Sequence, residues 1–82
     1  MMSSRFDTGT VREVIRAAKP KAPVDDIGDD ADLREAGIDS LDMMTIVLDC
    51  SEKAGFEVPD EDIDRLATIK GIVDYFNEKT GA

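Results

Sequence analysis

The sequence predicts an all-α protein, a small helical bundle with three main helices, one short helix and a long first connection. Hydrophobic residues make up 41% of the 82 residues and aromatic residues only 5%. The core must therefore be aliphatic, and such compositions favour a helical bundle over a β-sandwich. Apolar residues recur at helical spacing in three segments, bounded by residues typical of helix starts and ends. This length allows one domain with one compact core, but not a deep active site as well.

The first helix is predicted to begin near Thr10 and to end near Lys19. Thr10 and Glu13 have the spacing of a capping box, in which each side chain satisfies an otherwise unpaired backbone amide. Pro20 cannot continue a helix and disfavours helical geometry at the residue before it. Residues 1–7 show no periodicity and are expected to fray. One apolar stripe has i, i+3, i+4, i+7 spacing and consists of Val11, Val14, Ile15 and Ala18.

The connection from Pro20 to Ile38 is long for a compact domain. Such connections need either anchoring side chains or a function. A short helical turn is expected around Asp32–Ala36. The side chains expected to anchor the connection on the bundle are Val24, Ile27, Leu33 and Ile38.

The second helix is predicted to begin after Asp39 and to end at Gly55. Asp39 is placed to cap the helix by accepting hydrogen bonds from the amides of Leu41 or Asp42, and Gly55 is a typical C-terminal signal. Ser40 then lies in the first turn, where unpaired N–H groups and the positive end of the helix dipole are exposed. This position suits a residue that will carry a phosphate group.

This second helix has more apolar positions than a single stripe requires. One interpretation, which we take as the working one, is that the helix is central and contacts several neighbours. A second interpretation, compatible with the first, is that part of the apolar arc lines a space for an apolar guest or stays exposed for a partner. The apolar residues form two lines, with Leu41, Met44 and Leu48 in one and Met43, Ile46, Val47, Cys50 and Ala54 in the other.

The remainder of the chain predicts a short acidic helix that starts at Pro59 and a last helix that Thr68 is placed to cap. Gly71 inside the last helix costs about 1 kcal/mol relative to alanine, which indicates close packing at this position. Residues 77–82 are expected to fray. The residues expected to face inward are Phe56, Val58, Ile63, Leu66, Ile69, Ile72, Val73 and Phe76.

The chain is strongly acidic, with 10 Lys and Arg residues against 19 Asp and Glu residues and a net charge of −9. This balance argues against a nucleic-acid partner, because phosphate binding depends on Lys and Arg. A basic protein surface is the natural counterpart. The charge is also uneven: residues 1–21 hold five bases and two acids, a net +3, whereas the remainder holds five bases and 17 acids, a net −12.

Cys50 is the only cysteine, which excludes an internal disulfide and a multi-cysteine metal site and fits a reducing compartment. It falls on the apolar side of a predicted helix, so we interpret it as a buried packing residue. No apolar stretch approaches the roughly 20 residues that span a bilayer, and the N-terminus has no apolar signal segment. We therefore expect a soluble, cytoplasmic protein, and a monomer.

Ser40 does not have the surroundings of a catalytic serine. A hydrolytic serine needs a base, usually histidine, and an oxyanion hole built by a larger scaffold. This chain has no histidine and no GxSxG motif. The D-x-D-x-D run from Asp60 opens like a calcium loop, but Arg65 and Gly71 stand where glycine and a bidentate glutamate are needed. The sequence predicts neither an enzyme nor a dedicated metal site, which leaves covalent attachment at Ser40.

The string GIDSLDMMTIVLDCSEKAGFEVPDED, followed by LATIKGIVDYF, resembles the acyl carrier proteins. The resemblance covers the chain from about Val11 to Phe76. A DSL tripeptide alone is weakly specific, but Gly37 precedes it and the E-V-P-D-E-D run follows it at Glu57–Asp62. The resemblance implies an acyl-carrier-type four-helix bundle whose serine receives phosphopantetheine from coenzyme A.

The resemblance also implies residue roles. Ser40 would be esterified by a separate phosphopantetheinyl transferase, and the thiol of the arm would carry acyl groups as thioesters for fatty-acid, polyketide or related pathways. Asp39 would fix the turn and help to dock the basic transferase, while Leu41 would anchor the site on the core. Acyl-loading and acyl-processing enzymes with basic surfaces would contact Asp42, Met43, Met44, Asp49, Glu52, Glu57, Asp60 and Glu61, with the acidic run extending to Asp64.

The sequence departs from the family pattern on the second helix. Thr45 stands where fatty-acid carriers commonly have an acid, and Ser51 and Lys53 replace residues that are often acidic. We therefore hypothesise a specialised carrier that serves a dedicated pathway. Two alternatives stay open: an aminoacyl or peptidyl carrier, and an adaptor module in which Ser40 is not modified.

Overall fold

Three α-helices and two 3₁₀-helices form the part of the chain that the computed structural model describes, residues 6–80. The α-helices are α1 (Thr8–Ala18), α2 (Ser40–Ala54) and α3 (Ile69–Thr80). The 3₁₀-helices span Val24–Asp26 and Asp60–Leu66. No strand occurs between residues 6 and 80. The all-α prediction is confirmed, and the expected short helix after Pro59 is the second 3₁₀-helix.

The core lies where α1 packs against both α2 and α3, and the Asp60–Leu66 helix packs against α3. All four side chains expected to anchor the first connection are buried, which explains how this long segment stays on the bundle. Phe56, Val58 and Val73 are only partly buried at the edge of the core. The buried side chains are Phe6, Val11, Val14, Ile15, Val24, Ile27, Leu33, Ile38, Met43, Ile46, Val47, Cys50, Leu66, Ile69, Ile72, Tyr75 and Phe76.

The start of α1 differs from the prediction. The cap is Asp7, not Thr10, because the carboxylate of Asp7 accepts a hydrogen bond from the Thr10 amide at 2.8 Å. The helix therefore begins at Thr8. Its end is confirmed: α1 stops at Ala18, and the N–H of Lys19 donates to the carbonyl of Ile15.

Both ends of the chain are predicted to fray, and residues 6, 7 and 77–80 of these ends lie in the part of the chain that the structure describes. Phe6 is 5% exposed, and its ring stacks on Phe76 with centroids 4.9 Å apart. The side chain of Asn77 accepts from the Phe6 amide at 2.8 Å and donates to the Phe6 carbonyl at 3.1 Å. These contacts hold the first described residues against α3, which continues to Thr80. The expectation for residues 1–5, 81 and 82 lies outside the described residues.

The first connection is also held by polar contacts. The guanidinium of Arg12 donates to the Val24 carbonyl and pairs with Asp29 at 2.7 Å. The Lys70 amide donates to the carbonyl of Asp29 at 2.9 Å, which joins the connection to the start of α3. The expected turn after Asp32 is present, since the Ala36 amide donates to the Asp32 carbonyl at 3.2 Å. The connection is thus fixed along its length, although only a minor part of it is helical.

Tyr75 joins α3 to the Asp60–Leu66 helix, a contact that the sequence analysis missed. The tyrosine is buried, and its hydroxyl donates to the Asp62 carboxylate at 2.7 Å. Burial, followed by this hydrogen bond, raises the pKa of Tyr75 to about 12. The phenol therefore stays neutral at physiological pH, and the hydrogen bond fixes the helix that carries Ile63 and Asp64.

Gly71 lies where the start of α3 closely approaches the end of the Asp60–Leu66 helix. A Cβ atom at this position would lie 2.6 Å from the backbone carbonyl oxygen of Arg65 and 3.0 Å from the Thr68 hydroxyl. The Thr68 hydroxyl also accepts a hydrogen bond from the Gly71 amide at 2.9 Å, which confirms Thr68 as the helix cap. The close packing inferred from a glycine inside a helix is confirmed.

We predict that Gly71→Ala destabilises the fold. The added methyl group must displace backbone, and overpacking of this kind costs about 1–3 kcal/mol, against a gain in helix propensity of about 1 kcal/mol. The melting temperature should fall by several degrees, since about 1 kcal/mol shifts a domain of this size by roughly 4–8 °C. Gly28→Ala is the control, because no atom lies within 4 Å of its Cβ position. A Gly71→Ala protein as stable as the parent would contradict the packing argument.

Candidate functional site

Ser40 is the first residue of α2, and its side chain is exposed. The preceding residue, Asp39, has extended backbone, and its carboxylate accepts a hydrogen bond from the Asp42 amide at 2.9 Å. This hydrogen bond lowers the pKa of Asp39, and the charge of Lys19 acts in the same direction. The predicted cap is confirmed, and it places the Ser40 hydroxyl at the positive end of the α2 dipole.

Two residues before Asp39 set the direction in which the chain enters α2. Gly37 has a φ angle of 100°, a left-handed value that favours glycine. Ile38 follows; its side chain is buried, and its amide donates to the Leu33 carbonyl at 3.1 Å. Because Ile38 is fixed inward, the next two side chains, Asp39 and Ser40, lie on the outside. The GIDS sequence therefore holds a serine hydroxyl out in solvent at a helix start.

This geometry fits a phosphodiester on the serine. The first turn of an α-helix leaves backbone N–H groups without partners inside the helix, and these favour a negative group. The hydroxyl is accessible from solvent, so a substituent of any length can leave the bundle. In the described residues, no group of three or more Asp, Glu, Cys or His side chains is arranged to hold a metal ion.

A small cleft of about 140 Å³ opens beside Ser40. Apolar atoms dominate its surface, and Arg34 and Asp64 supply charged groups. The volume is close to that of a cavity of about 150 Å³ that takes up a benzene-sized apolar guest. The cleft is lined by Arg34, Ser40, Met43, Met44, Ile63, Asp64 and Ala67.

One line of apolar residues on α2 is exposed to solvent. Leu41 is 77% exposed, Leu48 59% and Met44 43%. The expectation that Leu41 anchors the site on the core is therefore wrong. Leu41 and the buried Met43 are two residues apart, which places them about 200° apart around the helix. Part of the apolar arc of α2 is therefore exposed, as the second interpretation of the arc allows.

The predicted partner-binding residues divide into three groups. Met43 is only 8% exposed, so its assignment to a partner surface is corrected: it belongs to the core and reaches the site only by lining the cleft. Asp42 and Asp49 are half-buried. The exposed members of the predicted set are Met44, Glu52, Glu57, Asp60 and Glu61.

Cys50 is fully buried, and this burial, together with the charge of Asp49, raises the pKa of its thiol to about 12. Its interpretation as a packing residue is confirmed. A second, shallower groove lies between α1 and α2 and does not include Ser40; it is lined by Glu13, Val14, Ala17, Asp49, Glu52 and Lys53.

Lys19 is a site residue that sequence reasoning missed. Its ammonium group pairs with the Asp42 carboxylate at 3.0 Å, which links the end of α1 to the first turn of α2. No periodicity or capping pattern connects two positions so far apart in the chain. Only the folded arrangement of the helices brings Lys19 beside the acids that flank Ser40.

An exposed serine at a capped helix start, beside a small apolar cleft, fits a carrier domain that holds a prosthetic group. A family model described as "Phosphopantetheine attachment site" matches residues 8–76, and the chain belongs to this family. The chain is thus a carrier whose prosthetic group is phosphopantetheine, attached covalently to a serine in this family. Carrier domains of this family are not catalytic, and they interact with a phosphopantetheinyl transferase and acyl-processing enzymes. The described helices include none long and apolar enough to span a membrane.

We predict that Asp39→Ala lowers the free energy of unfolding by about 0.5–2 kcal/mol, because the cap of α2 is lost. Asp39→Asn is the matched control, since asparagine also caps helices well. The lowered pKa of Asp39 means that its stabilising effect is present above the ordinary carboxyl value of 3.8 and is lost as the pH falls through the folded value. Urea unfolding at pH 7 and at progressively lower pH measures both effects. Equal stability of the Ala and Asn variants at pH 7 would contradict the capping role.

Proposed function

We propose that Ser40 is the attachment residue and that the chain carries acyl groups as thioesters on its phosphopantetheine arm. The observation that carries this proposal is the exposed Ser40 hydroxyl in the first turn of α2, held there by the Asp39 cap and the buried Ile38. Ser51, the other serine of α2, lies at the far end of the helix and has no such cap. The position of Ser40 in the DSL motif supports the same assignment.

The residues around Ser40 prepare it for modification by another protein. In the transfer, the Ser40 oxygen bonds to the pantetheine-bearing phosphorus of coenzyme A and a base takes the serine proton. The bond from this phosphorus to the bridging oxygen of the diphosphate breaks, and the nucleotide half of coenzyme A leaves with its phosphate groups. Asp39 holds the turn, and the α2 N-terminus favours the resulting negative charge. When bound, the arm supplies a thiol that forms thioesters. The chain has no histidine, the most common general base in proteins.

The cleft beside Ser40 favours an acyl cargo over an aminoacyl one. Its lining is mostly apolar, with atoms from Met43, Met44, Ile63 and Ala67 beside the charged groups of Arg34 and Asp64. An aminoacyl group brings an ammonium that would lose hydration against these side chains, whereas a short apolar chain is favoured there. The flexible thioethers of the two methionines can adapt to guests of different shape. An aminoacyl or peptidyl cargo is the second candidate within the carrier class.

The exposed line of Leu41, Met44 and Leu48 supports a docking role for α2. Its apolar side chains start next to Ser40 and follow the helix away from it. Glu52 lies one turn beyond Leu48, and Glu57 follows the end of the helix. Apolar contacts of this kind supply affinity, while the acids attract a basic partner and speed its encounter. A carrier that visits several enzymes in turn needs fast, transient contacts of this type.

The intact mass after incubation with coenzyme A and a phosphopantetheinyl transferase tests the proposal. We expect the chain to gain the mass of one phosphopantetheine, and Ser40→Ala to gain nothing. Ser51→Ala, on the same helix, should gain the same mass as the parent chain. Failure of the folded parent chain to gain mass would favour the adaptor alternative, in which the bundle docks another protein with Ser40 unmodified.

We also propose that the carrier serves a dedicated pathway. Thr45 and Lys53 make the face of α2 less negative than in fatty-acid carriers, and the Thr45 hydroxyl turns back to the Leu41 carbonyl at 3.3 Å. Enzymes of general fatty-acid synthesis that require these acids should therefore dock weakly.

We predict that the holo-protein is loaded by general fatty-acid synthase enzymes at least about fivefold more slowly than a housekeeping carrier, a difference of about 1 kcal/mol in docking. The double variant Thr45→Glu/Lys53→Glu should recover part of this difference, because it restores acids on α2. Thr80→Glu/Lys79→Glu, at the exposed end of α3, makes the same charge change away from Ser40 and serves as the control. Comparable loading rates for the parent chain and the housekeeping carrier would contradict the dedicated role.

A further inference from the structure

Lys19 lies at the end of α1, beside the first turn of α2. Its ammonium nitrogen is 3.0 Å from a carboxylate oxygen of Asp42, the acid two residues after Ser40. The position is electrostatically favourable for both groups, because a cation stabilises the C-terminus of α1 and an anion the N-terminus of α2. The pair joins two helix ends that the long first connection separates in the chain.

The positive charge of Lys19 is secure at physiological pH. The hydrogen bond to Asp42 and the charges of Asp42 and Asp39 raise the pKa of Lys19. The Asp42 side chain is only 22% exposed, less than any other carboxylate of the ion pairs formed by the described residues. Asp42 is thus the most enclosed of these acids, and Lys19 contributes to its enclosure.

We propose that Lys19 is a specificity-determining residue that masks Asp42 from the basic enzymes that act at Ser40. This inference rests on the proposed function, since it assumes that Ser40 is the residue those enzymes reach. Asp39 and Asp42 place two negative charges beside the serine, and the positive charge of Lys19 reduces the net negative charge there to one. A basic side chain of a partner must displace Lys19 before it can pair with Asp42.

That displacement yields little net affinity. An ion pair near the surface contributes little net free energy, so exchanging one pair for another leaves the binding free energy nearly unchanged. Without Lys19, Asp42 would be accessible, and the negative charge beside Ser40 would double. Such a change acts mainly on the association rate, because rim charges steer basic partners.

The consequence is selection among partners. An enzyme that depends on the acid two residues after the serine meets reduced attraction, whereas one whose basic groups contact Glu52 and Glu57, farther along the chain, is unaffected by Lys19. Lys19 would thus act in the same direction as Thr45 and Lys53, which also weaken the negative face of α2. Lys19 has this effect through an ion pair that joins α1 to α2, whereas Thr45 and Lys53 lie on α2 itself.

The test compares Lys19→Met with Lys70→Met. Both variants replace lysine with an unbranched apolar side chain and so remove one positive charge from a Lys–Asp pair. The Lys70–Asp74 pair, with a distance of 2.9 Å, lies on α3, outside the cleft. The measured quantity is kcat/KM for the loading of Ser40 by a basic phosphopantetheinyl transferase at low and at high salt. We expect Lys19→Met to raise kcat/KM about threefold to tenfold at low salt, with the gain shrinking at high salt, and Lys70→Met to change it less than about twofold. Lys19→Arg should behave as the parent chain.

A double-mutant cycle with Asp42→Asn tests whether Lys19 acts through Asp42. In the Asp42→Asn background, Lys19→Met should lose most of its effect. The inference is overturned if Lys19→Met and Lys70→Met change kcat/KM equally, if Lys19→Met lowers kcat/KM, or if its effect persists without Asp42. Complete failure of the parent chain to load at Ser40 would instead overturn the proposed function and this inference with it. Circular dichroism of each variant verifies that the helices are retained.

Discussion

The hydrogen bond between the Asp39 carboxylate and the Asp42 amide is the contact on which the site depends. It begins α2 at a defined residue, and the burial of Ile38 just before it defines which side of the chain faces solvent. If the helix began one residue earlier or later, a different side chain would occupy the exposed first position. A modifying enzyme recognises a hydroxyl in one place, so a fixed helix start is a requirement of function as much as of stability.

α2 has one buried and one exposed apolar face, and these two faces together account for its large number of apolar residues. The face through Met43, Ile46, Val47 and Cys50 is buried and holds the helix on α1. The line formed by Leu41, Met44 and Leu48 lies largely outside that packing. Exposed apolar surface of this kind is typical of sites that bind partners. The cleft between these faces lies at the Ser40 end of the helix.

Local patterns in the sequence were sufficient for most of the fold and for the position of Ser40. The stop at Pro20, the cap at Asp39, the end at Gly55 and the packing of Gly71 each depend on a few neighbouring residues, and all are confirmed. One local pattern was misread, since Asp7 and not Thr10 caps α1. The contacts that the sequence analysis missed join distant segments: Phe6 stacks on Phe76, and Lys19 pairs with Asp42. Leu41 was misplaced because apolar residues on opposite sides of a helix look alike in a sequence, and only the position of α1 decides which side is buried.

The ion pairs show how the uneven charge of the chain is distributed in the folded molecule. The bases of α1 do not form a basic patch, because Arg12, Arg16 and Lys19 pair with Asp29, Asp25 and Asp42. Within residues 6–80, the ion pairs do not involve Glu52, Glu57, Asp60 or Glu61. Three of the five bases of residues 1–21 are therefore paired with acids from outside that segment, whereas Glu52, Glu57, Asp60 and Glu61 are exposed.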